Sequence, residues 1–379
     1  MPTIRFMCYA QYFLVGILNV VIPTIMPVLI SDFGLDLATA SMIFPAKSVG
    51  ALFVGLLSGL WLDATGYKLL SVLGGCLSGL GLFLVAGSGT WGLFLLGFMI
   101  VGIAQAVLST AINTLTADVA AKSRAKGLNF LHGTYSVGAL VGPLWLALIS
   151  SWRLSITIMA TIWCGFGVWA VLQTYPQRQK QNLSKAWVNL GIIRDPAMVF
   201  CLLVAFCYNG IAGSMLGWVN TYIQQTGKVL VTISLGAVPI FYLGLSTGRF
   251  ACGLLSSRFE PSRIIQVCAL GGLLGYILVL YGPSSVFMVL GLLVSGLSLA
   301  GLYPTALAYM NGIESLPKGT ATALMQVAMG LGAMVPPTWT GIIASTFGLR
   351  IGIAVNLLLF IPLFVVARAW MPEGQAIAV

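Results

Sequence analysis

Apolar residues run through this chain in long unbroken stretches, and short polar clusters punctuate them at intervals. Twelve stretches are candidate spans: 6–31, 38–62, 69–87, 91–117, 128–150, 152–174, 196–223, 230–256, 262–282, 285–311, 319–345 and 349–371. At 1.5 Å per residue a helix of this length crosses a hydrocarbon core of about 30 Å. Runs this long without a two-residue period predict helices rather than a barrel. The first is too long and too apolar for a cleaved signal peptide and reads as a span. Most connections are a few residues, so successive helices are antiparallel neighbours. The longer one, Tyr175 to Asp195, is polar and basic (Arg178, Lys180, Lys185, Arg194). It divides the chain into an N-terminal six-helix bundle at 1–174, a cytoplasmic linker at 175–195 and a C-terminal six-helix bundle at 196–379.

Composition fixes the solvent. Hydrophobic residues make up 59% of 379 and charged residues 7%, where a soluble domain carries about a quarter charged residues. The expected fold is an all-α membrane protein, and its surroundings are the lipid bilayer. A net charge of +10 could suggest nucleic acid, but the cations are sorted by loop. Arg5, Lys68, Lys122, Arg124, Lys126, Arg178, Lys180, Lys185, Arg194, Arg258, Arg263, Lys318 and Arg368 fall on one side, against Arg153, Lys228 and Arg350 on the other. That asymmetry places both termini in the cytoplasm of a multi-pass inner-membrane protein, with no nucleic-acid partner. The seven cysteines lie within apolar runs without metal spacing and read as packing residues. No nucleophile, metal or cofactor constellation points to an enzyme.

The halves repeat. Gly55-Leu-Leu-Ser-Gly59 is matched in pattern by Arg249-Phe-Ala-Cys-Gly253, 194 residues later, and Leu96-Gly97 with Gly102 by Leu290-Gly291 with Gly296. Gly138-Ala-Leu-Val-Gly142-Pro143 is matched by Gly332-Ala-Met-Val-Pro336-Pro337 at the same offset. Two such repeats predict a cavity between bundles near the membrane midplane and alternating access. The 45 glycines suit close-packed helices.

Gly59-Leu-Trp-Leu-Asp63-Ala-Thr-Gly66-Tyr-Lys68 resembles the cytoplasmic loop motif of major facilitator superfamily transporters. The resemblance implies twelve spans in two pseudo-symmetric six-helix bundles, with Asp63, Gly66 and Lys68 in a structural or gating role. In the second copy Ser257 stands where an Asp is usual, while Arg258 and Arg263 remain. Ala111-Ile-Asn113, Leu128-Asn129 and Ser136-Val-Gly138-Ala139 resemble the fucose/glucose-type sugar permease group, as do Asn19, Gly210 through Trp218, and Gly301-Leu-Tyr-Pro304-Thr305. Proton symporters of that kind carry acids where this chain has Ser109, Ala212 and the stretch Ile22-Pro23-Thr24. All eight acids here fall in loops or at helix ends. Coupling to protons needs a titratable group open alternately to both sides, so uniport or weak coupling is expected, with His132 the one side chain titrating near neutrality.

Ser109 and Asn113 share one face of their helix, and His132 and Tyr135 another. At the repeat offset Ser109 corresponds to Tyr303 and His132 to Gln326. Neutral donors and acceptors with an aromatic face (Tyr208, Trp218, Tyr303) suit a monosaccharide or related polyol. Asn19, Asn113, Asn209 and Asn220 read equally as ligand contacts or as bonds between helices. Lys47, about 15 Å down its helix, either snorkels or faces the cavity and binds an anionic group or a hydroxyl cluster. The Gly248-Arg249 pair resembles a recurring feature of that superfamily, which implies a gating or structural role for Arg249. Two intramembrane cations leave an anion carrier as an alternative. Gly138-x-x-x-Gly142-Pro143 resembles a drug–proton antiporter motif and leaves a multidrug exporter as another. The expected protein is a monomeric carrier of a small-molecule solute.

Overall fold

The computed structural model describes residues 2–119, 124–149, 151–176, 193–226, 231–255, 259–313 and 318–369. Every regular element among them is helical: α1 (Pro2–Phe33), α2 (Leu37–Ser41), α3 (Ile43–Thr65), α4 (Tyr67–Ala86), α5 (Trp91–Val119), α6 (Arg124–Leu148), α7 (Trp152–Val171), α8 (Pro196–Thr226), α9 (Val231–Leu255), α10 (Pro261–Tyr281), α11 (Ser285–Leu299), α12 (Leu302–Gly312), α13 (Lys318–Phe347), α14 (Leu349–Ala354) and α15 (Phe360–Ala369). Nine stretches among the described residues are long and apolar enough to cross a membrane. With α6, α9 and the last broken span they make twelve. Large apolar side chains such as Phe53, Leu148, Phe250 and Val267 are left exposed, as a hydrocarbon solvent allows.

Three spans that the sequence predicts as continuous are broken, each shortly before a proline. α2 gives way to α3 at Met42, α11 to α12 at Ala300 and Gly301, and α14 to α15 through a 3-10 turn at Val355–Leu359. Proline has no N–H for the carbonyl four residues back and its ring crowds that carbonyl. For Pro45, Pro304 and Pro362 those carbonyls belong to Ser41, Ala300 and Leu358, which lie at the breaks. Pro23 and Pro27 are tolerated inside α1.

Contacts divide the chain into two compact units, Met1–Gly34 with Met42–Trp187, and Leu35–Ser41 with Val188–Val379. In the first, α1 packs on α6, α3 on α5, and α4 on both α5 and α7; in the second, α8 packs on α13, α9 on α11, and α10 on α11 and α15. The repeat sets these pairings at single-residue resolution. A Cβ on Gly102 would lie 2.0 Å from the Lys47 carbonyl oxygen, and one on Gly296 would lie 2.1 Å from that of Phe241, 194 residues on. Gly81 and Gly97 face each other's carbonyls as Gly275 and Gly291 do. Glycine lets backbones approach where no larger residue fits.

Two of the cations that break the loop asymmetry have structural work. Arg153 donates to the Ala86 and Ser88 carbonyls (2.9 and 2.8 Å) at and just past the end of α4, and stacks over Trp152 and Phe33. Arg350 donates to the Leu280 carbonyl (3.0 Å) near the end of α10 and lies over Tyr281. Ala86 and Leu280 are again 194 apart. A cation on unsatisfied terminal carbonyls also complements the helix dipole. Arg153→Ala is expected to cost about 2 kcal/mol and lower the unfolding midpoint of the purified protein by several degrees. Exposed Arg350 should cost less when replaced by alanine. Unchanged midpoints in both variants would contradict the capping role.

Candidate functional site

In the first unit the polar side chains gather on α1. Tyr12 and Asn19, two helical turns apart, share one face. Around Tyr12, Asn113 donates its amide to the Tyr12 hydroxyl oxygen (3.1 Å) and to the Ser109 carbonyl (2.8 Å). The Ser109 hydroxyl lies 3.4 Å from that of Tyr12. Tyr12 has one O–H, so with Asn113 donating to it, its own proton is left for Ser109. The His132 ring meets Tyr12 edge-on at 5.3 Å and Tyr135 lies 6.0 Å away. Tyr12 is itself buried while His132 is exposed. Asn113 Oδ1 takes no hydrogen bond among the described residues, which leaves an acceptor beside the hydroxyls. α1 and α6 can come this close because Gly16 and Gly138 lie against the Tyr135 and Phe13 carbonyls (2.1 and 2.0 Å from a built Cβ).

Further along the same face, Asn19 Oδ1 accepts from the Lys47 ammonium, and the ammonium lies 5.6 Å from the centre of the Phe98 ring. Lys47 therefore reaches across to α1 rather than snorkelling along its own helix. Pro23 supplies no N–H to the Asn19 carbonyl, so the backbone there is polar too.

The second unit carries a smaller cluster. Gln326 donates to the Tyr303 hydroxyl (3.2 Å), and the Tyr303 ring stacks on Tyr208 with centroids 6.2 Å apart. Tyr303 stands two residues past the break of the tenth span, and Gln326 is exposed.

Other predicted residues lie elsewhere. Trp218 is fully buried, with its indole N–H on the Pro337 carbonyl (2.8 Å) and its ring against Gly341. Its surroundings are those of packing between α8 and α13. Asn209 donates to the Met329 carbonyl (2.7 Å), a bond between those same helices. Asn220 is buried with neither amide atom hydrogen-bonded. Arg249 is exposed near the end of α9. Gly66 has φ +78° between α3 and α4, a backbone conformation that suits glycine, and Lys68 beside it is exposed. Arg258 and the side chain of Asp63 lie outside the described residues. Asp32 accepts from the Trp152 indole (2.7 Å), and Asp118 accepts from Tyr67. Both carboxylates are thus tied at helix ends. Tyr12, the centre of the first cluster, is not among the predicted residues, and its seven-residue spacing from Asn19 was the signal for it.

The chain matches the Major Facilitator Superfamily profile over residues 8–311. A zebrafish (Danio rerio) protein, major facilitator superfamily domain-containing protein 4A, is 33% identical over 148 residues, or 38% of this chain and 28% of that protein. The match spans under a third of that relative's length. An uncharacterised MFS-type transporter of Yersinia pestis is 20% identical over 369 residues, 94% of this chain and 93% of its own. Among solved structures, a bacterial homologue of the human lysosomal transporter Spinster superposes with a TM-score of 0.83 at 15% identity (98% of this chain, 99% of that one). The nucleoside transporter NupG gives 0.77 at 15% (96% of both). The E. coli fucose:proton symporter FucP gives 0.65 at 19% (96% and 97%). At these identities the likeness establishes the fold, and it does not single out the sugar-permease group that the motifs resemble. Twelve spans, an internal repeat that sets the packing of each unit, and a profile match over most of the chain agree: the chain has a multi-pass membrane fold and belongs to the major facilitator superfamily.

Proposed function

We propose that this transporter carries a small polyhydroxylated solute, a monosaccharide or close relative, by alternating access and without strong proton coupling. The observation that carries this reading is the Tyr12–Ser109–Asn113 hydrogen-bonded group with His132 and Tyr135 beside it. Its counterpart at repeat-related positions is Tyr303 with Gln326, stacked on Tyr208. Mixed neutral donors and acceptors with aromatic faces match sugar hydroxyls and ring C–H surfaces. Two proteins of similar fold are named for fucose and for nucleosides, both hydroxyl-rich. Uncoupled transport is supported by the sequence, which places every acid in a loop or at a helix end. The loop charges support an inner-membrane orientation with both termini cytoplasmic.

A thermal-shift screen of purified protein tests the solute class. Hexoses, hexuronates and nucleosides at millimolar concentration are expected to include stabilisers, since saturating ligand at a hundred times Kd adds about 2.7 kcal/mol. Stabilisation by lipophilic cations alone would favour an exporter and contradict this reading.

A further inference from the structure

Lys47 and Asn19 differ in kind from the cluster two turns away. An ammonium can only donate, so the amide of Asn19 must turn its oxygen to Lys47. Apart from the second lone pair of the Asn19 oxygen, the capacity left over is for donation: two N–H bonds on Lys47 and two on Asn19. Neither residue makes another hydrogen bond among the described residues. Among the described residues no carboxylate pairs with Lys47. Asp32 and Asp118 are held by Trp152 and Tyr67, and Asp63 stands sixteen residues further along α3, about 24 Å away. A cation inside a membrane protein is costly and is kept where something pairs with it.

The repeat separates packing from function at this pair. Lys47 and Phe241 have the same backbone role, each carbonyl receiving the equivalent glycine, Gly102 or Gly296. Yet the second unit has a fully buried phenylalanine in place of the lysine, and Ala212 in place of Asn19, since Gly332 meets the Phe206 carbonyl as Gly138 meets that of Phe13, an offset of 193 on this helix. The fold therefore needs neither polar side chain at these positions. Both partners occur in one unit only, and Asn19 lies on the face of α1 that also carries Tyr12.

We infer that Lys47 and Asn19 form a carboxylate subsite, and that the solute is a hydroxylated acid of the hexuronate or aldonate class. A carboxylate offers acceptors alone and matches a positively charged set of donors. Its hydroxyls would fall to the Tyr12–Ser109–Asn113 group, about 10 Å along α1. This inference rests on the proposed hydroxylated solute and narrows it.

Equilibrium binding to the purified protein tests it, with glucuronate, galacturonate and gluconate set against glucose, galactose and the methyl ester of glucuronate. Expected is at least tenfold tighter binding of an acid than of its ester or parent sugar, about 1.4 kcal/mol. In Lys47→Gln that preference should shrink to within about threefold. The acid–ester comparison needs no variant, so a misfolded Lys47→Gln does not block the test. Equal or tighter binding of the ester and neutral sugars would overturn the carboxylate subsite and leave the hydroxylated solute standing. Binding by none of these compounds would overturn both.

Discussion

Gly138→Ala is expected to lose most of the folded protein. The added methyl would stand 2.0 Å from the Phe13 carbonyl oxygen and 2.9 Å from its carbon. Both are backbone atoms, so no side-chain rotation relieves the overlap, and α1 must separate from α6 along the contact that aligns Tyr12 with His132 and Tyr135. Overpacking a core costs about 1–3 kcal/mol even where side chains can adjust. Here at least about 3 kcal/mol is expected, a fall of roughly 10 °C in unfolding midpoint, together with loss of solute binding. Gly102→Ala, 2.0 Å from the Lys47 carbonyl oxygen, should behave alike. Gly165→Ala, with nothing within 4 Å of the new methyl, should leave the midpoint within about 2 °C or raise it. Detergent-solubilised protein followed by intrinsic fluorescence reads all three. Equal midpoints for Gly138→Ala and Gly165→Ala would refute the account of the packing.

That contrast also explains how the fold could be read from the sequence. Glycines at an offset of 194 mark the closest backbone approaches, and those approaches admit no other residue, so Gly102 with Gly296 and Gly97 with Gly291 survive in both halves. The span breaks were harder. Pro45, Pro304 and Pro362 sit inside apolar runs, and hydropathy does not register a missing N–H. Pro23 and Pro27 do not break α1, so proline alone is not decisive.

The site was legible in part. Ser109 with Asn113 and Tyr303 with Gln326 follow from helical spacing and the repeat. Lys47 on Asn19 does not, because sequence gives no rule for which turn of α3 meets which turn of α1. Trp218 has the composition of a ligand-facing aromatic, but its fate was decided by the Pro337 carbonyl on another helix. Tyr12 is harder to single out, because a tyrosine in a first span has the character of an interfacial aromatic.

Tyr12→Phe is the second large expected effect. It leaves ring contacts in place and removes one oxygen. Asn113 loses the acceptor at 3.1 Å, and the Ser109 hydroxyl loses its partner. A site built to hydrogen-bond hydroxyls pays heavily for an unmatched buried polar group. Solute affinity is expected to fall at least tenfold, while the unfolding midpoint moves by no more than about 3 °C. Asn113→Ala should weaken binding similarly. If Tyr12→Phe binds solute like the unaltered protein, the group around Tyr12 is packing alone.

Counterflow in proteoliposomes tests the central claim most directly: protein loaded inside with unlabelled hexose or hexuronate, labelled solute outside, with and without a protonophore. The account predicts transient accumulation of label that is the same in both conditions. Accumulation that collapses without an imposed pH gradient, or no counterflow of any hydroxylated solute, would contradict it.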